Sequence, residues 1–552
     1  MHFQCGFSGP AGSGINTVGI MLAKILIKQW WFCRLDKEYS SVIKWGNNTI
    51  FLNISDTKEC FFSKKVDFFC YLDQGAREKN HTVYQIDCTF HCIQNTPKKN
   101  MFLVGMMLSI FQIEKEVWIL LMEEMFQKNH QTWNRESFEE WYEYGKQSDF
   151  YQLFSPLFKE KVKNSENTNI LETGNSLLAQ WGVDSWLTFY AAYPMTPATS
   201  IIDEILKHPE VTFFQGEDEI AVAMSMLGAT YAGKKAMCGT SGWGFALMTE
   251  SLSFSIQSEI GWVFILVQRD GPSTGTPTYT AQGDLLMALY STFGANSPIV
   301  IAPSNFEEYY TMIGKALGFS QRYQHPVVIL WEKCLSEGYI TFNTEKKNQN
   351  NGIDTWILSE EAENDQYQRY QNTENGISPY SFPGRKNTIF MATSYEHDES
   401  GATNEDPLIK EEQTQKRRRK MLTFQKEQLE TQKLDSFEVI NPHAHKFLIT
   451  WGSNAMTLKY VLKDYSDWGL LVIKVFYPFN DQIKQFLESS KENIEKLCFV
   501  EMNSEGQAEK WLSEYCGLKD KSRENKIMHY RKTTLYPIFK EEIEEYLNHG
   551  SE

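Results

Sequence analysis

A chain of 552 residues is longer than one hydrophobic core usually serves, and roughly three domains of 100 to 200 residues are expected. Hydrophobic residues at 42%, charged at 22% and aromatic at 14% describe a folded globular protein and exclude wholesale disorder or a fibrous repeat. Lys and Arg number 54 against 70 Asp and Glu, and the formal charge of −16 repels a phosphate backbone, so nucleic acid is not an expected ligand.

Residues 1–160 open with the strand-like run HFQCGF, the turn SGPAGSG and the helical stretch INTVGIMLAKILIKQW, the start of an α/β unit. Gly9, Gly12 and Gly14 admit two readings, a phosphate seat at a helix N-terminus or a tight structural turn, and the spacing is not GxGxxG. Ten scattered cysteines with no secretory-type segment ahead of them lead us to expect a reduced, cytoplasmic setting. Cys88 and Cys92 bracket His91, but no second pair lies at ligand spacing, so no metal site is expected; no cysteine run suits an iron–sulfur cluster either. The apolar stretch MFLVGMMLSIF has 11 residues, short of the ~20 that cross a bilayer, and a soluble protein is expected.

Between 168 and 345, four strand-like runs each end in a glycine- or proline-marked loop: FYAAYP, VTFFQG, AMCGTSG and VFILVQRDG. This pattern predicts a parallel sheet covered by helices, with ligands bound outside the carboxyl ends of its strands. Glu219 stands in the first turn of a helix that is otherwise apolar or small all round, which predicts a buried helix and a carboxylate entering a buried site. The alternative is that Glu217, Asp218 and Glu219 only complement the helix dipole. Arg269 follows an apolar strand and precedes a loop rich in glycine and hydroxyls. That placement suits either capture of a carboxylate or a salt bridge to a neighbouring loop. In YPMTP two prolines present Tyr193 and Thr196 rigidly, and GTSGWGF, containing Gly242, joins a strand to a helix. The stretch 346–445 is polar and charged and reads as a connector with one exposed helix near 409–433, in which Arg417–Lys420 form a solvated face. Residues 446–552 alternate again as a smaller α/β domain.

Taken in order, these loops resemble the alpha subunit of the 2-oxoacid:ferredoxin oxidoreductases in the form with a fused N-terminal gamma domain. YPMTPATSI resembles the family's YPITPS/T loop, and QGEDEIAVAMSMLGATYAGKKAMCGTSGWGF its central block. RDGPSTGTPTYTAQGDL resembles its RxGPSTGxPTxxxQxDL signature. EHDESG, KRRRK, WGSN and VEMNSEGQ are similar to later family elements, and GPAGSGI and KNMFLVG to the gamma domain. The resemblance implies a pyrimidine-type, Rossmann-like thiamine diphosphate domain at 168–345. A gamma-type α/β domain at 1–160 and a transketolase-C-like α/β domain at 446–552 would flank it.

It further implies oxidative decarboxylation of a 2-oxoacid with CoA to an acyl-CoA, electrons passing to ferredoxin. The thiamine diphosphate would be shared with a beta subunit that holds Mg²⁺ and a [4Fe–4S] cluster, in an αβ or (αβ)₂ assembly. Glu219 would bind the aminopyrimidine, with Gly242 beside the cofactor. Arg269, Thr196 and Tyr193 would hold the substrate. Trp243 stands where the family commonly has proline. 2-Oxoglutarate is the first expectation for the substrate, with pyruvate or a branched-chain oxoacid as alternatives. Two other classes stay open: a nicotinamide-dependent Rossmann enzyme and a non-catalytic scaffold that keeps the fold.

Overall fold

A computed structural model describes residues 1–549 except 40–45, 73–74, 76–79, 81, 92–98, 119–127, 159–166, 295, 346–366, 491–492 and 519–525. Cys92 and the first part of the expected connector thus lie outside the described residues. The chain forms two compact units, one of residues 1–173, 337–349 and 539–541, the other of 174–336, 350–538 and 542–552.

The first unit is built on a seven-stranded mixed sheet, in spatial order Gln85–His91, Lys65–Tyr71, His2–Pro10, Asn47–Ser55, Phe32–Glu38, Tyr339–Asn343 and Asn169–Thr173. The helix Ile15–Lys28 covers it with an apolar face that includes Val18, Leu22, Ile25 and Leu26, all fully buried. Gly12 and Gly14 hold left-handed backbone, with φ of 86° and 80°. A Cβ at Gly9 would fall 2.7 Å from the Leu72 side chain. Backbone conformation and packing therefore account for all three glycines of the turn.

The second unit carries two sheets. The larger runs Val475–Tyr477, Ile299–Ile301, Val327–Glu332, Val263–Gln268, Ala236–Thr240, Phe189–Ala192 and Thr212–Gln215. Every pairing in it is parallel except that of the edge strand Val475–Tyr477. Its central strands, VFILVQ and VVILWE, are buried at every position, as a sheet covered on both faces requires. The smaller sheet runs Phe437–Ile440, Trp468–Ile473, Lys446–Trp451, Lys496–Glu501 and Ile527–Arg531. Phe264, Leu266, Trp451, Phe476 and Trp511 belong to one continuous hydrophobic core that joins both sheets.

The basic block is not the solvated face expected from its alternating charges. The helix runs Pro407–Phe424, and Lys416, Arg417 and Lys420 are buried in it. Lys416 and Lys420, one turn apart and so on one face, both close on the buried carboxylate of Glu259. Arg417 makes a bidentate pair with Glu396, at 3.0 and 2.9 Å. Arg369 adds hydrogen bonds to the Glu259 carbonyl and to Gln324. Periodicity could not show this, because the acids that neutralise the block lie far away in sequence. Among the described residues no helix is long and apolar enough to cross a membrane.

Candidate active site

Four loops leave the carboxyl ends of neighbouring parallel strands and meet. After Phe189–Ala192 comes YPMTP, after Thr212–Gln215 the turn to Glu219, after Ala236–Thr240 the segment SGWG, and after Val263–Gln268 the loop from Arg269 to Asp284. Arg269 Nη1 donates to the Thr196 carbonyl at 2.6 Å, and Thr240 Oγ1 lies 3.8 Å from Met195 Sδ. A Cβ on Gly244 would fall 2.8 Å from Glu219 Oε1 and closer still to Thr240 Oγ1. Parallel pairing delivers all four loops to one edge of the sheet, where open α/β folds bind ligands.

Glu219 begins the helix Glu219–Tyr231, and Asp218, not Glu219, caps it by accepting from the Ala221 N–H at 2.8 Å. Glu219 is 5% exposed, and its carboxylate has no hydrogen-bond or ion-pair partner among the described residues. Capping and dipole compensation are thus met by its neighbour, leaving Glu219 free to meet a ligand. The helix is not buried all round as its composition suggested: Ile220 and Met224 are each 50% exposed, one turn apart on one face.

Arg269 is 9% exposed and forms no salt bridge among the described residues. It lines a cleft of about 600 Å³ together with Trp243, Asp284, Met287, Met502 and Asn503. Asp270, its neighbour, turns its carboxylate to the Thr276 hydroxyl and so closes its own loop. Gly242 also lines the cleft and lies against Asp284, for a Cβ there would fall 2.5 Å from Oδ1. Burial pushes the Asp284 carboxyl up to about 7, the Arg269 charge partly offsetting it. Thr196 and Tyr193 do not line this cleft; Thr196 reaches Arg269 through its carbonyl, and Tyr193 is 39% exposed.

Two further groups carry no role in a reading of the loops alone. Asp284 is one. The other is Gln282, whose Nε2 donates to Glu332 Oε1 at 2.6 Å and to the Trp451 carbonyl at 3.0 Å. Its Oε1 accepts from Asn454 at 2.8 Å and from the Met502 N–H at 3.1 Å. Asn503 donates to the Gln282 carbonyl and to Glu501, which also accepts the Ala508 N–H. The segments QGD, WGSN and VEMNSEGQ are therefore one hydrogen-bonded clamp that fixes the loop carrying Arg269. Their shared glutamine, asparagine and glutamate were the only signal in sequence, and it does not name the partners.

The residues fit the pyrimidine side of thiamine diphosphate. A buried carboxylate without a partner is costly unless a ligand satisfies it, and two glycines of the short helix Gly242–Leu247 leave room beside Asp284 and Glu219. Ser241 Oγ and Gln268 Nε2, both fully buried, have no hydrogen-bond partner among the described residues either. Among the described residues no group of His, Cys, Asp and Glu could hold a metal ion.

Comparison with known proteins gives these residues a context. The family model described as "Pyruvate flavodoxin/ferredoxin oxidoreductase, thiamine diP-bdg" matches residues 184–416. The "2-oxoacid:ferredoxin oxidoreductase 1, subunit alpha" of Sulfurisphaera tokodaii is 30% identical over 422 residues, which are 72% of this chain and 64% of that protein. The "2-oxoglutarate synthase subunit KorA" of Methanocaldococcus jannaschii is 29% identical over 325 residues, 58% of this chain and 85% of that one. The structure of 2-oxoglutarate:ferredoxin oxidoreductase from Magnetococcus marinus, with 2-oxoglutarate, coenzyme A and succinyl-CoA bound, superposes with a TM-score of 0.83. It covers 99% of both chains at 24% identity, a likeness of fold. The chain spans just under two thirds of the length of the first of these relatives.

Proposed function

This chain belongs to the alpha-subunit family of the 2-oxoacid:ferredoxin oxidoreductases, and from that premise we propose that it supplies the pyrimidine-side half of a thiamine diphosphate site. The observation that carries the reading is Glu219, a buried carboxylate at a helix start that neither caps the helix nor pairs with another described residue. Such a group holds an aminopyrimidine nitrogen by accepting its proton in a hydrogen bond, and so sets the protonation of the ring. Thiamine diphosphate, when bound, supplies the carbon nucleophile for decarboxylation of a 2-oxoacid.

The chain's own residues do the positioning. Arg269, with its remaining donors toward the cleft, binds the substrate carboxylate, and its bond to the Thr196 carbonyl fixes the guanidinium. Thr196 and Tyr193, which do not line the cleft, act on the substrate only through the loop that holds Arg269, and Gly242 keeps the wall thin. Trp243, 51% exposed and lining the cleft, narrows the space for the substrate's tail or for CoA. A beta subunit holding Mg²⁺ and a [4Fe–4S] cluster completes the site, and ferredoxin takes the electrons, in an αβ or (αβ)₂ assembly in the cytoplasm. The gamma-type segment 1–160 and the last domain, 446–552, flank the thiamine domain.

2-Oxoglutarate is the first substrate to test, since relatives of this chain are named for it. Among the described residues the cleft's other cation, Lys532, is engaged by Glu542 and the Pro537 carbonyl, and in this reading a second cation for that dicarboxylate comes from the partner chain. The test is co-expression with the beta subunit and an assay of CoA-dependent methyl viologen reduction over a panel of 2-oxoacids. Activity with one oxoacid, lost in both Glu219→Ala and Arg269→Ala, supports the reading. A stable, cofactor-loaded complex with no turnover on any oxoacid refutes it in favour of a scaffold.

A further inference from the structure

We propose that Asp284 is a second substrate-holding group of the cleft, its protonated carboxyl donating to the same 2-oxoacid carboxylate that Arg269 binds. The proposal rests on the reading of the cleft given above and adds a residue to it.

Asp284 and Arg269 line one cleft yet form no ion pair with each other or with any other described residue. Arg269 spends one donor on the Thr196 carbonyl and has the rest to offer. The Asp284 backbone N–H is taken by Gln268 Oε1 at 3.2 Å, whereas its carboxyl has no donor among the described residues. A half-buried carboxylate so placed is costly as a bare anion and cheap as a neutral acid that awaits an acceptor.

Gly242 supports the same assignment. Its φ is not in the left-handed region, so its backbone does not require glycine. What requires it is space, because a Cβ would fall 2.5 Å from Asp284 Oδ1. The carboxyl is seated against the bare start of the helix and held toward the cleft.

The other charges around the cleft are committed elsewhere. Asp270 accepts from Thr276, Glu505 pairs with Lys510 at 2.7 Å, and Lys532 pairs with Glu542 at 2.6 Å. Arg269 is therefore the charge that Asp284 senses most directly. Burial already lifts the acid to about 7, and an incoming anion lifts it further. Binding therefore draws a proton from solvent onto Asp284, and no covalent bond is made or broken.

The test uses the assembled complex with its beta subunit. Calorimetric titration with the 2-oxoacid at pH 8, in two buffers of different ionisation enthalpy, should show uptake of about one proton by the wild type and none by Asp284→Asn. In parallel, the wild-type KM should climb by about tenfold per pH unit above pH 7, as the competent fraction falls. Asp284→Asn, still a donor, should keep a low and pH-independent KM. Wild-type binding without proton uptake overturns the proposal, as does an unchanged KM profile in Asp284→Asn. Failure of the underlying reading looks different: no 2-oxoacid binds the wild type, or Arg269→Ala binds it as well as the wild type does.

Discussion

Glu259 Oε1 lies 2.7 Å from the Lys416 ammonium, and both side chains are completely buried. Lys420 closes on the other carboxylate oxygen. Burial opposes ionisation of Glu259, but the two lysines outweigh it and hold the acid well below the ordinary range. Glu259→Gln leaves two buried ammonium groups without their counter-ion and should cost about 3–5 kcal/mol in chemical denaturation. Replacing Glu259, Lys416 and Lys420 together by leucine and methionine should restore most of that loss. A single variant as stable as the wild type would show that the cluster does not hold the helix Pro407–Phe424 in place.

Glu396 sets an acid limit on stability. Burial disfavours its charge, yet hydrogen bonds from Arg417 and Lys410 bring the carboxyl down from 4.5 to about 2. Because the folded value lies below the unfolded one, the unfolded chain binds more protons between them. Stability from this group is full above pH 4.5 and is lost as pH falls through about 2. Denaturation midpoints measured from pH 6 to pH 2 should fall, and Glu396→Gln should flatten that part of the curve.

Glu219→Gln keeps the shape of the side chain and removes the charge. In the assembled enzyme it should lower kcat by at least about 100-fold, the range for losing an acid–base group. The melting temperature should stay within a degree or two, since no described residue pairs with the carboxylate. A large drop in stability with intact turnover would mean that Glu219 is structural.

Gly244→Ala tests the seat of that carboxylate without touching it. The new methyl would fall 2.8 Å from Glu219 Oε1 and closer to Thr240 Oγ1. Overpacking of this kind should cost about 1–3 kcal/mol, and activity should fall as Glu219 is displaced. Gly228→Ala is the control in another helix, because a Cβ there meets nothing within 4 Å.

Gln282→Ala removes the hub of the clamp and strands Asn454 and Glu332, whose carboxyl is already lifted by burial to about 7. A loss of about 1–3 kcal/mol is expected, the cost of a buried polar group left unsatisfied. Turnover should fall as well, since Gln282 stands on the loop that carries Arg269. An effect on stability alone would detach the clamp from the site.

How much of this was legible differs from element to element. The strands FYAA, TFFQ, AMCGT and VFILVQ were visible because each is a short apolar run stopped by glycine or proline. Glu219 and Arg269 could be singled out because a charge at the end of an apolar element is chemically conspicuous, even with Glu217, Asp218 and Asp270 beside them. Asp284 could not, for its meaning lies in Gly242, which is 42 residues earlier and has no side chain to announce it. The block Arg417–Lys420 reads as solvated, since alternating charge on a helix is the normal signature of an exposed face. Its counter-ions Glu259 and Glu396 are supplied by other parts of the chain.

What the sequence by itself determined is local: which segments are strands, where each stops, and which side chains stand at those stops. Periodicity and turn chemistry act over a few residues and are written in order along the chain. What only the tertiary structure decided is pairing. Tyr339–Asn343 lies antiparallel to Asn169–Thr173 in the first sheet, Arg269 meets the Thr196 carbonyl, and Gln282 bonds to Trp451, Asn454 and Met502. Such contacts between distant segments are settled by which buried polar groups and apolar faces can satisfy one another at once, and no local stretch of sequence contains that information.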